Sequence, residues 1–364
     1  MRTLEKLTIK GFKSIREQTL ELDRLNVFIG GNGVGKSNLI GVFRFLHEVI
    51  NQRLVEYVAK RGGANSLLHF GRKTTPEMQL EFVLSGLFPE GTVSYDTILK
   101  ATDDGLLYVH DEWLSIETNG DDSGTILPNS KIESRLKDGQ DEFAKKLFEE
   151  LDSYRVYHFH DTSETAEVKD VCDLEDNRFL RPRAQNLAAY LYFLEQKHPA
   201  HFSLIEDTVQ QIAPFFGGFQ LKPSRLNEGK IRLEWVEKGH DGYFNATALS
   251  DGTLRFICLA TLLLQPEQDL PSLILLDEPE LGLHPAAIAL LADLLVAASE
   301  KTQIIVATQS VTLVNQLIPE QVWTVNREGD QSVFTKLDQT DYSTWLDDYA
   351  LGELWEKNLI NARP

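Results

Sequence analysis

Residues 25–37 read LNVFIGGNGVGKS, and the rest of the chain can be placed outward from them. Leu25, Val27, Phe28 and Ile29 make a compact apolar run of the buried-strand type. It leads directly into a glycine loop in which four residues separate Gly30 from Gly35, with Lys36 and Ser37 behind. From Ser37 onward Leu39, Ile40, Phe43, Leu46 and Ile50 recur at helical spacing. Strand, loop and helix in that order let backbone N–H groups wrap a polyphosphate at a helix N-terminus, whose positive end adds to the attraction. The pattern predicts that Gly30, Gly33 and Gly35 shape the loop for ATP. Lys36 then reaches the terminal phosphates, and the Ser37 hydroxyl ligates Mg²⁺. A glycine turn that merely carries a lysine needs neither the strand nor the helix.

A second apolar run, Leu273-Ile274-Leu275-Leu276, delivers Asp277-Glu278-Pro279-Glu280 at its end. A buried strand ending this way sets the Asp277 carboxylate beside the phosphate-bound Mg²⁺. Glu278, one residue on, falls where it can orient and deprotonate an attacking water. Paired acids at a strand end are by themselves an ordinary solvated feature. Behind a phosphate loop they point to hydrolysis rather than to transfer onto a bound acceptor. A third stretch, Ala248-Leu249-Ser250-Asp251-Gly252-Thr253, opens a helix that Ser250 caps, leaving N-terminal amides as a second anion site. Read alone, it is a plain N-cap.

The 364 residues are 42% hydrophobic and 25% charged, near the soluble globular average, which excludes a wholly disordered chain. The length allows two or three domain cores, or one large domain with insertions. There are 36 Lys and Arg against 55 Asp and Glu, a net charge of −19. A phosphate polyanion is therefore repelled on average, and nucleic-acid contact requires a local basic patch. Cys172 and Cys258 are too few for a disulfide framework or a multi-cysteine metal site, and they fit a reducing cytosol. No apolar run approaches the ~20 residues of a membrane helix, and MRTLEKLTIKGFKSI at the N-terminus lacks an apolar signal core. A cytoplasmic protein with no membrane contact is expected. Repeats and sustained heptads are absent from the sequence, which excludes long coiled-coil arms.

Leu7, Ile9 and Phe12 predict a strand ahead of the glycine loop. Across 76–128, Met78, Leu80, Phe82 and Leu84 alternate, as do Val93, Tyr95, Thr97 and Leu99, with Asp104-Gly105 and Asn119-Gly120 as hairpin turns. These make an antiparallel layer inserted after the first helix. Phe143, Leu147 and Leu151 line a further helix, 154–159 reads as a strand and the charged, proline-bearing 161–183 as a loop. Helices follow at 186–195 and 200–213, then strands at 219–221 and 230–236. A helix from Ser250 through Leu264, another at 285–298 and a buried strand at 303–307 complete the pattern. The order is mixed α/β, with the antiparallel layer and a helical lobe inserted between the first and last parallel strands.

Taken in order, GxxxxGKS, LSDGT and LLDEPE resemble an ABC-class ATPase. Leu281-Gly282-Leu283-His284-Pro285 is similar to the loop that follows the acids in that class. Phe12-Lys13-Ser14 and Ala307-Thr308-Gln309-Ser310 narrow the resemblance to RecF- and SMC-related ATPases, and especially to the ATPase half of the OLD (overcoming lysogenisation defect) family. It covers nearly the whole chain. The resemblance implies an ABC-type P-loop ATPase head with the inserted layer and lobe lying between its Walker A and Walker B halves. Residues 1–160 would hold Walker A and the layer, 161–248 the helical lobe and return strands, 249–326 the signature, Walker B and switch, and 327–364 a tail. It also implies a head-to-tail homodimer formed on ATP binding, in which Ser250 and Gly252 of one subunit contact the γ-phosphate held by Lys36 of the other. Glu278 would be the catalytic base, Gln309 the switch residue, and Asn32 and Asn38 part of the phosphate site.

Three departures from the class carry consequences. Asp251 stands where transporter-type signatures have glycine, bringing negative charge toward the γ-phosphate unless it turns away or pairs. Gln309 occupies a position that is often histidine; an amide bonds a phosphate but takes no proton at neutral pH, so slow hydrolysis is expected. The glutamine that usually senses the metal has no clear counterpart, and His160 and Asp161 fall at that junction.

OLD-type chains carry a TOPRIM nuclease domain after the ATPase. The tail at 327–364 is only about forty residues, short for a domain, so nuclease action is expected from a protein partner, in DNA repair or anti-phage defence. The contrasting reading is an ATP-gated scaffold or sensor with little turnover. The long insertion between Lys36 and Asp277, the FKS start and LSDGT speak against a transporter subunit. Residues 177–183, NRFLRPR, are a basic patch that either touches DNA or offsets the acids around it. His158 and His160 share a strand face, but with only Cys172 nearby they read as a polar strand end rather than a transition-metal site. Trp345, Tyr349 and Trp355 read as packing of a last helix or as an anchor for another subunit.

Overall fold

The computed structural model describes residues 2–89, 91–118, 121–126, 132–338, 340, 342, 345, 348–360 and 362. Among the described residues, two six-stranded sheets enclose one helix, and that helix carries the phosphate loop at its tip. β1 (Thr3–Phe12) and β2 (Ile15–Glu21) form an antiparallel hairpin. β3 (Leu25–Ile29) leads through the glycine loop into α1 (Lys36–Ile50), which α2 (Leu54–Lys60) follows. β4 (Glu77–Ser85), β5 (Thr92–Ala101), β6 (Leu107–Thr118) and β7 (Asp121–Ile126) then run as a meander. Gly105 turns between β5 and β6 at φ +86°; Asn119 and Gly120 lie outside the described residues.

The antiparallel layer inserted after α1 is continuous with the N-terminal hairpin. β1 uses both edges, one for β2 and one for β4, so the sheet runs β2-β1-β4-β5-β6-β7. Its register sets Leu7 opposite Phe82 and Ile9 opposite Leu80, continuing one apolar face from the N-terminal hairpin into the meander.

After α3 (Glu142–Ser153), β8 (Arg155–Tyr157) joins the second sheet. The lobe that follows holds β9 (Cys172–Asp173), α4 (Leu187–Lys197), α5 (Pro199–Ile212), β10 (Phe216–Phe219), β11 (Lys230–Ile231), β12 (Glu234–Glu237) and β13 (Tyr243–Asn245). Next come α6 (Asp251–Leu264), β14 (Leu273–Asp277), α7 (Pro285–Ser299) and β15 (Gln303–Thr308). The chain closes with α8 (Val311–Val314), β16 (Val322–Glu328), β17 (Gln331–Lys336) and α9 (Leu351–Glu356). The second sheet runs β17-β16-β3-β15-β14-β8, parallel except for β17 at one edge.

Two short stretches differ from the sequence pattern. β10 starts at Phe216 rather than 219, because Gly218 at φ +145° shifts the register and lets Phe216 and Phe219 both bury. The 230–236 run divides: β11 pairs with β9 inside the expected loop, and β12 pairs with β10. A two-residue strand leaves no alternation to read.

Strand alternation sorts the core in two. Leu273, Leu275, Ile305 and Ala307 join the cluster around α1, while Ile274, Leu276, Ile304 and Val306 join the one built from α4 to α7. With a sheet on either side, α1 buries Leu39, Ile40, Val42, Phe43, Phe45, Leu46, Val49 and Ile50. Each such side chain contributes about 1.5–3 kcal/mol, so the helix is held firmly and its N-terminal turn with it.

The far end of α1 is clamped to the end of α3. His47 Nε2 lies 3.1 Å from Asp152, whose carboxylate also accepts from Asn51 Nδ2 at 2.6 Å. The bond to Asp152 raises the His47 pKa, and the same bond holds Asp152 down at about 2. The raised histidine contributes stability below about pH 6.5, lost as pH climbs through its folded value. The depressed aspartate contributes above about pH 3.8, lost as pH falls toward 2. Both side chains are about one-third exposed, so Asp152→Asn is expected to cost about 1 kcal/mol between those limits and less outside them. Urea unfolding at acidic, intermediate and alkaline pH checks it.

Candidate nucleotide site

Ala307 on β15 pairs with Asp277 on one side and Phe28 on the other, which brings the C-terminal ends of β14, β15 and β3 level. Loops leaving those ends share one crevice, the usual ligand position in an open α/β sheet. From β3 comes the glycine loop. Gly30 sits at φ +152° with a Cβ position only 2.3 Å from Val325 O, and Gly35 at φ +124° with one 2.1 Å from Ser332 Oγ. Any side chain there collides with its neighbour. Ser332 Oγ lies 2.5 Å from Val34 O and 2.7 Å from Ser14 Oγ, and Asn38 Nδ2 donates to Ser14 Oγ at 2.6 Å. The serine of FKS thus braces the loop from outside.

Lys36 is buried, and its Nζ donates to the carbonyls of Gly30 and Gly31, the latter at 2.9 Å. Burial lowers its pKa, and the Glu278, Asp277 and Glu280 charges oppose that shift. A desolvated cation held only by main-chain carbonyls is ready to exchange them for phosphate oxygens. The Ser37 hydroxyl lies beside the Asp277 carboxylate, whose pKa burial raises and Arg44 draws back. A hydroxyl and a carboxylate are hard oxygen donors, a set that fits Mg²⁺ completed by phosphate and water.

Glu278 occupies the left-handed region at φ +46°, unusual for a side chain with a Cβ, while its N–H donates to Ala307 O at 2.7 Å. Gln309 Nε2 donates both to Glu278 Oε1 and to Asn32 Oδ1, the second at 2.9 Å. One amide therefore ties together residues from all three strand ends. Behind it, Glu280 Oε1 accepts from Thr308 Oγ1 at 2.5 Å and from the Gln309 N–H at 3.3 Å. His160 Nε2 donates to Asp277 O at 2.7 Å, which sets the end of β8 against the acidic strand. His158 lies against Arg44, and burial together with that charge pushes its pKa down to about 4. Each ring has a protein partner, and among the described residues no group of three or more His, Cys, Asp or Glu side chains converges.

Residues 25–315 match the family described as "AAA domain, putative AbiEii toxin, Type IV TA system". The chain belongs to this AAA family. Its fold is that of an ABC-type P-loop ATPase head. A crystal structure of an SMC head bound to the C-winged helix domain of ScpA is similar at TM-score 0.63 and 17% identity, covering 94% of this chain and 99% of that one. A Pyrococcus furiosus Smc head with an extended coiled coil, bound to the C-terminal domain of ScpA, gives 0.61 and 16%, covering 96% and 99%. A Pyrococcus yayanosii Smc head with coiled coil and joint gives 0.55 and 14%, with the same coverage. No curated protein matches the chain.

In this AAA-family chain the signature stretch sits apart from the phosphate loop. Ser250 Oγ caps α6 by accepting from Thr253 N at 3.1 Å, and among the described residues no hydrogen bond joins Ser250 or Gly252 to residues 30–38. Gly252 instead packs on the loop after the acids, where a Cβ would stand 2.6 Å from Gly282 O. Asp251 pairs with buried Lys169 at 3.5 Å, so its charge is partly met within the chain. In the basic patch, Arg181 pairs with Asp176 at 3.0 Å and Arg183 with Glu167 at 3.5 Å. Trp355 is buried in α9, whereas Trp345 and Tyr349 are exposed. Sequence reasoning missed Arg44, Arg255 and Ser332. Arg44 was within reach, two helical turns beyond Lys36; Ser332 left no local signal.

Among the described residues no helix is long and apolar enough to cross a membrane.

Proposed function

We propose that this chain is a slow, Mg²⁺-dependent ATP hydrolase whose ATP-bound form pairs head to tail with a second copy and gates a DNA-linked assembly. A separate effector such as a nuclease does the downstream chemistry. The observation that carries this reading is Gln309 bridging Asn32 and Glu278: one amide senses the phosphate loop and the candidate base together. Gly30, Asn32, Gly33, Gly35, Lys36, Ser37 and Asn38 would hold the triphosphate, and Ser37 and Asp277 would hold the metal. When bound, Mg²⁺ supplies positive charge to the phosphate oxygens. Glu278 accepts the proton of the attacking water, Gln309 orients the reacting groups, and Lys36 stabilises charge on the departing phosphate side. Among the described residues no hydrogen bond joins Ser250 or Gly252 to their own phosphate loop, which supports a second copy supplying them.

The resemblance to OLD ATPases and the toxin description of the family favour defence over repair. Two of the SMC heads of similar fold were solved with ScpA domains bound, which supports a protein partner here. A second reading, an ATP-gated scaffold, draws on Gln309 itself, since an amide that holds Glu278 and takes no proton favours slow turnover.

Steady-state hydrolysis with and without duplex DNA, alongside light scattering, tests the proposal. Turnover below about one per second is expected, with mass doubling from 41.2 kDa in ATP but not ADP. Stimulation by DNA supports the DNA-linked assembly, and indifference assigns the trigger to a protein. Many turnovers per second, or a monomer at saturating ATP, overturns the reading.

A further inference from the structure

We infer that Arg255 and His160 form a latch that carries the position of the signature helix α6 to the Asp277–Glu278 pair, an inference resting on the hydrolase reading above. Arg255 lies on α6 five residues beyond Ser250 and is buried. Its Nε donates to Phe159 O at 2.9 Å and its Nη2 to His160 O at 3.0 Å. The rigid planar fork of a guanidinium therefore fixes two successive carbonyls just beyond β8. With that backbone held, the His160 ring reaches β14, where Nε2–H donates to Asp277 O at 2.7 Å.

That carbonyl belongs to the peptide unit whose nitrogen is Glu278 N, and Glu278 N donates to Ala307 O at 2.7 Å. The unit is thus gripped at its oxygen by His160 and at its nitrogen by β15. Rotating it swings the Glu278 side chain, already held at φ +46°. The hollow among Phe159, His160, Arg255, Leu276 and Asp277 is about 10 Å³, room for one water at most, so the contacts are direct. On its other side the guanidinium lies under the loop after the acids, where a Cβ on Gly282 would come within 2.8 Å of Nη1.

Among the described residues Arg255 has no ion pair, and Asp251 is engaged by Lys169. A buried cation whose hydrogen bonds go to carbonyls contributes little net stability, and an apolar residue could fill the space. Its directional bonds are what the site uses. A shift of α6 as a partner's nucleotide docks on Ser250 then moves Arg255, the carbonyls of Phe159 and His160, and the peptide that aims Glu278.

The test uses the full-length chain. Arg255→Met keeps the aliphatic stem and removes the fork; it is expected to lower kcat about tenfold or more with KM for ATP within about twofold. His160→Ala should do the same, and the double variant should be no slower than the worse single one. His160→Gln, whose amide can still donate to Asp277 O, should restore most of kcat. A packing role would instead make the losses multiply and leave His160→Gln as slow as His160→Ala. The latch is also read without turnover, by NMR of ¹⁵N-histidine in the nucleotide-free protein. The Nε2–H of His160 should be protected from exchange in wild type and unprotected in Arg255→Met. Multiplying losses, or protection that survives Arg255→Met, overturns the inference. If wild type and Glu278→Gln turn over alike, the hydrolase reading fails instead, and protection alone then decides the latch.

Discussion

Glu278→Gln is expected to reduce ATP turnover by about 10²–10⁴-fold, the range for losing a general base, while ATP binding is retained and ATP-bound dimers accumulate. The substitution is nearly isosteric. An amide at this position still offers Oε1 to Gln309 Nε2, and the backbone bond from Glu278 N to Ala307 O does not involve the side chain. The Asp277–Ser37 contact is equally untouched. What disappears is the capacity to take a proton from water, since a primary amide has none at neutral pH. Phosphate release and light scattering on one preparation separate the two effects. Loss of turnover with a persistent ATP-dependent dimer supports the hydrolase. Turnover within tenfold of wild type removes Glu278 as base and moves the ATP-gated scaffold ahead.

The parts of this site legible in the sequence are those whose chemistry is local. β3, the glycine loop and the first turns of α1 are contiguous, so apolar run, glycine spacing and helical periodicity could be read together. β14 and β15 are uninterrupted apolar runs because both their faces are covered, and the acids follow one of them directly. Pairing between distant segments was not legible. Nothing in residues 3–12 shows that β1 takes β4 on its second edge. The requirement for glycine at position 35 comes from Ser332, nearly the length of the chain away. Asp251 reads in sequence as a charge near the γ-phosphate, and only the fold sets Lys169, from residues 161–183, beside it. Arg255 reads in sequence as one polar residue on an apolar helix, and only the fold sets it under Phe159 and His160.

Lys36→Met separates what the phosphate loop does for binding from what it does for folding. In the nucleotide-free chain the ammonium is buried, its pKa is lowered by that burial, and its hydrogen bonds go to the carbonyls of Gly30 and Gly31. Taking a charge out of water costs several kcal/mol, which two neutral carbonyls and the more distant acids only partly offset. Replacing it with an unbranched apolar side chain of similar length is therefore expected to leave the nucleotide-free Tm unchanged or slightly raised. Binding should respond in the opposite direction. Charge-assisted hydrogen bonds to phosphate are worth about 1.5–3 kcal/mol, a loss of tenfold or more in affinity. Thermal unfolding with and without Mg-ATP reads both at once. Wild type should gain about 2.7 kcal/mol at a hundredfold excess of ligand over Kd, and Lys36→Met at the same concentration should gain markedly less. A variant that unfolds earlier without nucleotide would assign Lys36 to holding the loop together. A variant that still gains the full stabilisation would remove it from the phosphate site, and with it the premise that this loop is built around a triphosphate.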